Sequence, residues 1–404
     1  MGGIAAGGAG MSRLWDRGEP LERFVLHYTA GEDHVLDERL VVYDARASAA
    51  HAAMLHTCGY LDDNDHAVLQ RALEEIGSAH ARGEWKITLE EEDVHSALEN
   101  RLVMIAGDVG RRIHLGRSRN DQVLAALRLY LLDALGALAS AADAVAAALD
   151  DLADRQGPLP MPGYTHQQQA MPTTLALWCG GYAAELRDDG EGLRSARRRA
   201  HKNPLGSAAG YGVPGIQLDR EETRRALGFA AIHQPVTAVQ LSRGKAEASA
   251  LFEAALLGQD LGRLAAELCL FATTEFGFVL LPPELTTGSS MLPQKRNPDL
   301  FELARGRGGE AVAALNEVLS VLAKLPSGYH RDLQLIKKPL FRGLDAVGAT
   351  AHLFVEALPR ISFDAARLEA AIDPSSRMAE RANRMVVDEG IPFREAYRRV
   401  KEKG

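Results

Sequence analysis

Apolar residues return every three or four positions over most of this chain, the interval that marks helix. The clearest stretch runs from about 122 to about 155. There Leu124, Leu127, Leu131, Leu135, Leu138, Ala142, Val145, Leu149 and Leu152 form one continuous stripe, and no proline interrupts it. The segment predicts a rod roughly 50 Å long. A rod of that length with one apolar face needs parallel neighbours, in its own chain or in other subunits. Similar patterns cover about 242–272, 300–325 and 174–200. The last ends in "RDDGEGLRSARRRA", which reads as a solvated, charged stretch. Before about residue 117 the helices are shorter, as in "DERLVVYDARASAAHAAML" and "EEEDVHSALENRL". The predicted fold is all-α, a bundle of long central helices.

Three domains follow from this pattern. A shorter-helix domain covers 11–117, the long-helix bundle 118–361, and a small helical domain 362–404 that reads as truncated. The glycine-rich residues 1–10 predict a disordered leader, with Met11 as the natural start. Aromatics are only 6% of the chain, which suits helix better than sheet. A net charge of −8 argues against a nucleic-acid partner. No uninterrupted apolar run approaches the ~18 residues of a membrane span, so no membrane partner is expected. The start lacks the basic region and compact apolar core of a signal peptide. Cys58, Cys179 and Cys269 are far apart and sit in apolar runs. They predict buried free thiols and a cytoplasmic location.

Four polar segments interrupt the apolar frame, each at the end of a predicted long helix. In "GRSRNDQ" (116–122), Arg117 and Arg119 can grip carboxylates, and Ser118 and Asn120 sit at a helix N-terminus, where anions are favoured. The same segment reads equally as a helix cap. In "GYTHQQQ", His166 stands among hydrogen-bonding neighbours including Thr165. A lone histidine is more often structural. "TTGSSMLPQKRNPD" (286–299) packs hydroxyls, amides and cations between two prolines, so no regular structure can run through it. It offers Ser289, Lys295 and Asn297, with Glu302 early in the next helix. "SGYHRDLQLIKKPLF" offers Tyr329, Gln334 and Lys337. By itself either loop reads as solvated. Their co-occurrence points to one anion-handling site.

The 286–299 segment resembles the signature of the fumarase/aspartase superfamily, Gly-Ser-x-x-Met-Pro-x-Lys-x-Asn. Together with "GRSRNDQ", "GYTH" and "YHRDLQ", in that order, the chain resembles the argininosuccinate lyase branch from about residue 12 onward. The resemblance implies a homotetramer with active sites shared between subunits. It implies a reversible β-elimination that splits argininosuccinate into fumarate and arginine, a step of arginine biosynthesis, with no cofactor. It makes Ser289 the base and Lys295 and Asn297 holders of substrate carboxylates. His166 and Glu302 become the pair on the acid side. Ser118, Arg119, Asn120, Thr165, Tyr329, Gln334 and Lys337 become substrate ligands.

Some positions depart from the family pattern. Leu292 replaces a methionine, Arg296 a lysine, and Gln167 a leucine. Leu335, Ile336 and Lys338 stand where acidic residues are usual. No ligand carries over onto "TAGEDHVLD", and Arg243 is left out because "QLSRGKAE" matches the family poorly. Two other readings stand beside this one. The first is a different fumarate-releasing lyase of the superfamily, and the second a catalytically silent structural relative.

Overall fold

The computed structural model describes residues 22–403; the expected leader and the start at Met11 lie outside them. The longest helix, Arg119–Gln156, has 38 residues. Its stripe is its buried face: Leu124, Leu127, Leu131, Leu135, Ala142, Val145, Leu149 and Leu152 are at most 1% exposed. By length and composition this helix could cross a bilayer, yet 72% of its most apolar window is buried within the protein, as in a core helix.

Helices Leu175–Ala200 and Lys245–Phe271 lie where the periodicity predicts them. The second starts late because Gly244 has a left-handed φ of +79°, and a Cβ there would meet Leu322 at 2.2 Å. The rod expected over 300–325 is instead two helices, Asp299–Arg307 and Glu310–Leu322. The break has a packing cause. A Cβ at Gly308 would lie 2.6 Å from the carbonyl oxygen of Gly258, and Gln259 donates to the Gly308 carbonyl at 3.0 Å. Only glycine allows that approach.

The described residues also form three two-stranded sheets. The largest pairs Pro160–Thr165 with Gln168–Thr174, antiparallel, where the sequence reads as a loop. Its prolines and glycine hid the pairing. Gly163 permits a bulge, since a Cβ there would meet the Met171 carbonyl at 2.7 Å.

The chain divides into two compact units. Among the described residues, one comprises 22–136, Ser195–Ala250 and Ala314–Phe341; the other comprises Ala137–Arg194, Leu251–Ala313 and 342–403. The boundaries fall inside long helices. The first unit holds a core built on Leu55, Leu69, Leu73, Ile76, Leu98 and Leu102. Cys179 and Cys269 are buried free thiols, whereas Cys58 is partly exposed.

The charged end of Leu175–Ala200 is less solvated than its composition suggests. Asp189 is 8% exposed, and its Oδ2 has no hydrogen-bond partner. Burial, then Asp260, Asp188, Glu185 and Glu253, push its carboxyl up to about 7. The folded state therefore keeps a proton that the unfolded chain releases near pH 4. Stability from this group falls as pH rises from 4 to 7 and then levels off. Asp189→Asn is expected to stabilise the protein at pH 8 by about 1–2 kcal/mol after solvent screening. The gain should vanish near pH 4. Thermal melts at both pH values check this, and an equal effect at each would refute it.

Candidate active site

The hairpin positions His166. A two-residue turn joins Thr165 to Gln168, and both turn residues are left-handed, with φ of 54° at His166 and 59° at Gln167. Positive φ at both centres is the geometry that matches strand twist in a tight hairpin, normally taken by glycine or asparagine. Histidine and glutamine hold it at a cost of about 1–2 kcal/mol each. The hairpin is pinned next to its turn by Gln169, which donates to the Ala371 carbonyl at 2.6 Å and accepts from the Asp373 N–H at 3.0 Å. Gln169 is thus structural. Thr165 and His166 are exposed at the tip. Among the described residues His166 has no hydrogen bond or ion pair, and Glu302 is not its partner.

The 286–299 loop is closed at its neck. Thr287 and Asn297 exchange two backbone hydrogen bonds, at 3.1 and 2.9 Å. The Thr287 hydroxyl donates to Asp299, and the Asn297 amide donates to the Gly288 carbonyl at 3.4 Å. Within the loop the Ser289 hydroxyl oxygen accepts two backbone N–H groups, from Met291 at 3.3 Å and Leu292 at 3.1 Å. Ser289 is half-buried, while Ser290 is exposed. Lys295, Asn297 and Glu302 line one open cavity of about 930 Å³ with Cys269, Thr273 and Arg305. Glu302 reaches only Arg305, at 4.0 Å.

The other unit gathers a second group. Arg119, Tyr329, Gln334 and Lys337 line a narrow cavity together with Asp33, Asp93, His95, Val123 and Arg243. Ser118 and Asn120 are not among its walls. Ser118 caps the long helix, its hydroxyl accepting the Asn120 N–H at 3.3 Å. Asp121 closes the cap. It accepts N–H groups from Ser118 at 3.0 Å, Gly206 at 3.1 Å and Ala208 at 2.8 Å, yet burial still pushes its carboxyl up to about 6. In this structure the Ser118 hydroxyl serves the helix end.

Arg119 is ion-paired with Asp93, and Glu92 lies 3.7 Å away. Burial pushes Asp93 up, but Arg119, His95, the Ser96 N–H and Lys337 together hold it down at about 2. Lys337 is 2% exposed, with its ammonium 2.8 Å from Asp33 and 2.6 Å from Asp37. Burial works against that charge, and Asp37 and Asp33 outweigh it. Two carboxylates sharing one ammonium leave a surplus, and burial, joined by Asp37, raises Asp33. Gln334 donates to the carbonyls of Thr29 at 2.9 Å and Ala30 at 3.2 Å. His95 Nδ1 lies 3.2 Å from Asp44, whose two oxygens each accept from Gln122 at 3.0 Å.

The segment "TAGEDHVLD" thus supplies both partners of Lys337. The i, i+4 spacing of Asp33 and Asp37 was the one sequence signal for this, since it puts both on one helical face. Arg243 was left out because its segment matches the family pattern poorly; it stands between helices Thr237–Leu241 and Lys245–Phe271. Among the departures, Ile336 is buried, Leu335 is exposed, and Lys338 pairs outward with Glu32 at 2.5 Å.

Long helices with polar, anion-suited loops at their ends match a family model described as "Lyase" over residues 27–313. A variant of EDDS lyase with bound fumarate has a TM-score of 0.79 at 25% identity, covering 93% of this chain and 74% of that one. A class II fumarase from Schistosoma mansoni shares the fold, with a TM-score of 0.78 at 15% identity over 95% and 93% of the two chains. The fold is thus that of the fumarase/aspartase lyases. An argininosuccinate lyase from Sorangium cellulosum is 46% identical over 96% of this chain and 90% of its own length. Within the lyases, the chain belongs to the argininosuccinate lyase family.

Proposed function

We propose that this protein is a carbon–nitrogen lyase that converts argininosuccinate reversibly into fumarate and arginine, as a cytoplasmic enzyme of arginine biosynthesis. The observation that carries the mechanism is the pair of backbone N–H groups on the Ser289 hydroxyl oxygen. Serine is a poor base unless its alkoxide is stabilised. Two fixed donors on that oxygen supply such stabilisation, and Lys295 adds positive charge in the same loop.

The proton on the succinyl β-carbon passes to the Ser289 alkoxide. The electron pair it leaves is delocalised onto the adjacent carboxylate, held by Lys295 and Asn297. The pair then forms the C=C bond of fumarate as the Cα–N bond breaks. The departing guanidine nitrogen takes a proton from the His166 side of the site, where Glu302 from another subunit would orient the imidazole. Ser118, Arg119, Asn120, Thr165, Tyr329, Gln334 and Lys337 bind the rest of the substrate. The working unit is a homotetramer whose sites draw on several subunits. The left-handed tip of the hairpin supports this, because it holds His166 out from its own chain without a partner.

The test is fumarate absorbance with purified protein and argininosuccinate, adenylosuccinate, malate and aspartate in turn. Release from argininosuccinate alone is expected. Equal or better turnover of adenylosuccinate would move the assignment to another lyase of the superfamily. No turnover of any would leave a silent relative.

A further inference from the structure

The narrow cavity of the first unit has three cations in its walls, and two of them are already satisfied. Arg119 has Asp93 and Glu92, and Lys337 has Asp33 and Asp37. Arg243 is different. It is 4% exposed, and its Nε and Nη1 have no hydrogen-bond partner. Its guanidinium lies over the ring of Tyr329, 5.1 Å from the centroid. Among the described residues no carboxylate forms an ion pair with it. Glu247, four residues further on, is itself buried with both oxygens unpartnered; burial raises its carboxyl, and the charges of Arg243 and Arg128 pull it back without a direct ion pair to Arg243.

A guanidinium keeps its charge in any protein environment. Buried and unpaired, it is costly to hold. Its fork of donors matches a carboxylate in two parallel hydrogen bonds. The cavity has a free volume of about 30 Å³, room for one small polar group and not for a whole molecule.

We infer that Arg243 is a substrate-binding residue that takes one carboxylate of the substrate into this cavity, against the face of Tyr329. The inference rests on the proposed reaction for the identity of the substrate. That substrate carries two carboxylates on its succinyl part and one on its arginine part, and either part can supply the group. Arg119 and Lys337 line the same cavity with their charges already paired, while Arg243 supplies the unpartnered N–H donors.

The experiment compares the full-length wild type with Arg243→Gln and Arg243→Lys. KM and kcat for argininosuccinate are measured, and arginine, its decarboxylated analogue agmatine, and fumarate are titrated calorimetrically. Loss of charge-assisted hydrogen bonds predicts a KM raised roughly 10- to 100-fold in Arg243→Gln, with a much smaller change in kcat. Arg243→Lys should recover part of the loss by keeping the charge. Weaker arginine binding with unchanged agmatine binding assigns the carboxylate to the arginine part. Weaker fumarate binding assigns it to the succinyl part. KM and all three affinities within about twofold of wild type in Arg243→Gln would overturn the inference. If Arg243→Gln fails to fold, Arg243→Met, which also removes the charge while keeping the length of the stem, is read by the same criterion. A wild type inactive on argininosuccinate that still loses arginine or fumarate binding on substitution would sink the proposed reaction and leave Arg243 a carboxylate ligand.

Discussion

Ser289→Ala lowers kcat by at least ~10²–10⁴-fold, the usual worth of a positioned general base, and leaves the fold intact. The local geometry separates these two effects. The loop neck is held by Thr287, Asn297, Asp299 and Gly288, none of which needs the Ser289 hydroxyl. Alanine removes only the acceptor of the Met291 and Leu292 N–H groups. Both residues are exposed, so water replaces that acceptor at little cost to stability. Proton abstraction has no such replacement, because water cannot hold an alkoxide at the substrate carbon. Ser290→Ala should be nearly silent, since Ser290 is exposed and outside this hydrogen-bond pair. Fumarate absorbance under single-turnover conditions reads the chemical step, and circular dichroism reads the fold. An inactive Ser290→Ala beside an active Ser289→Ala would move the base by one residue.

The long helices were legible because an apolar stripe is a property of local spacing. A run of leucines at three- and four-residue steps leaves no other face to bury. What spacing cannot carry is a contact made far along the chain. The break at Gly308 exists because Gly258 approaches it, and nothing near Gly308 records that. The buried state of Asp189 is of the same kind, since the helix face beneath a charged sequence is chosen by its neighbours. The site divides along the same line. The cluster in 286–299 stood out because its residues are adjacent and unsuited to any regular element. Arg243, Asp33 and Asp37 were passed over, because their segments match the family pattern poorly and each is ordinary by local spacing. They acquire meaning only where the fold collects them around Lys337 and Tyr329. Gln169 errs the other way: its polar neighbourhood suggested chemistry, and the structure gives it the task of pinning a hairpin.

Inactive Ser289→Ala and His166→Ala proteins, unfolded together and refolded as a mixture, regain activity that neither has alone. The expectation starts from the second unit. Helix Lys245–Phe271 leaves Phe252, Leu256 and Leu270 exposed at 51%, 44% and 46%, on one face by their spacing. Leu303 and Val312, at 64% and 38%, extend the apolar surface on the two helices that follow. Side chains of this size, repeated along helices, call for a covering partner, and parallel rods of further copies of the chain supply one. His166 at its exposed turn and Glu302 with only a distant arginine are then completed by residues of neighbouring copies. In an equal mixture each site draws its His166 and its Ser289 from different chains, so about one site in four receives both intact. Recovery of up to that fraction of wild-type activity is expected, rising and falling with the mixing ratio and highest at equal amounts. The doubly substituted chain, carrying both changes, gives no recovery with itself and marks the baseline. Light scattering on the same samples should report four chains. A monomer, or a refolded mixture no more active than its parents, would mean that one chain brings His166 and Ser289 to a single site. In that case the exposed faces of Lys245–Phe271 and its neighbours would need another occupant.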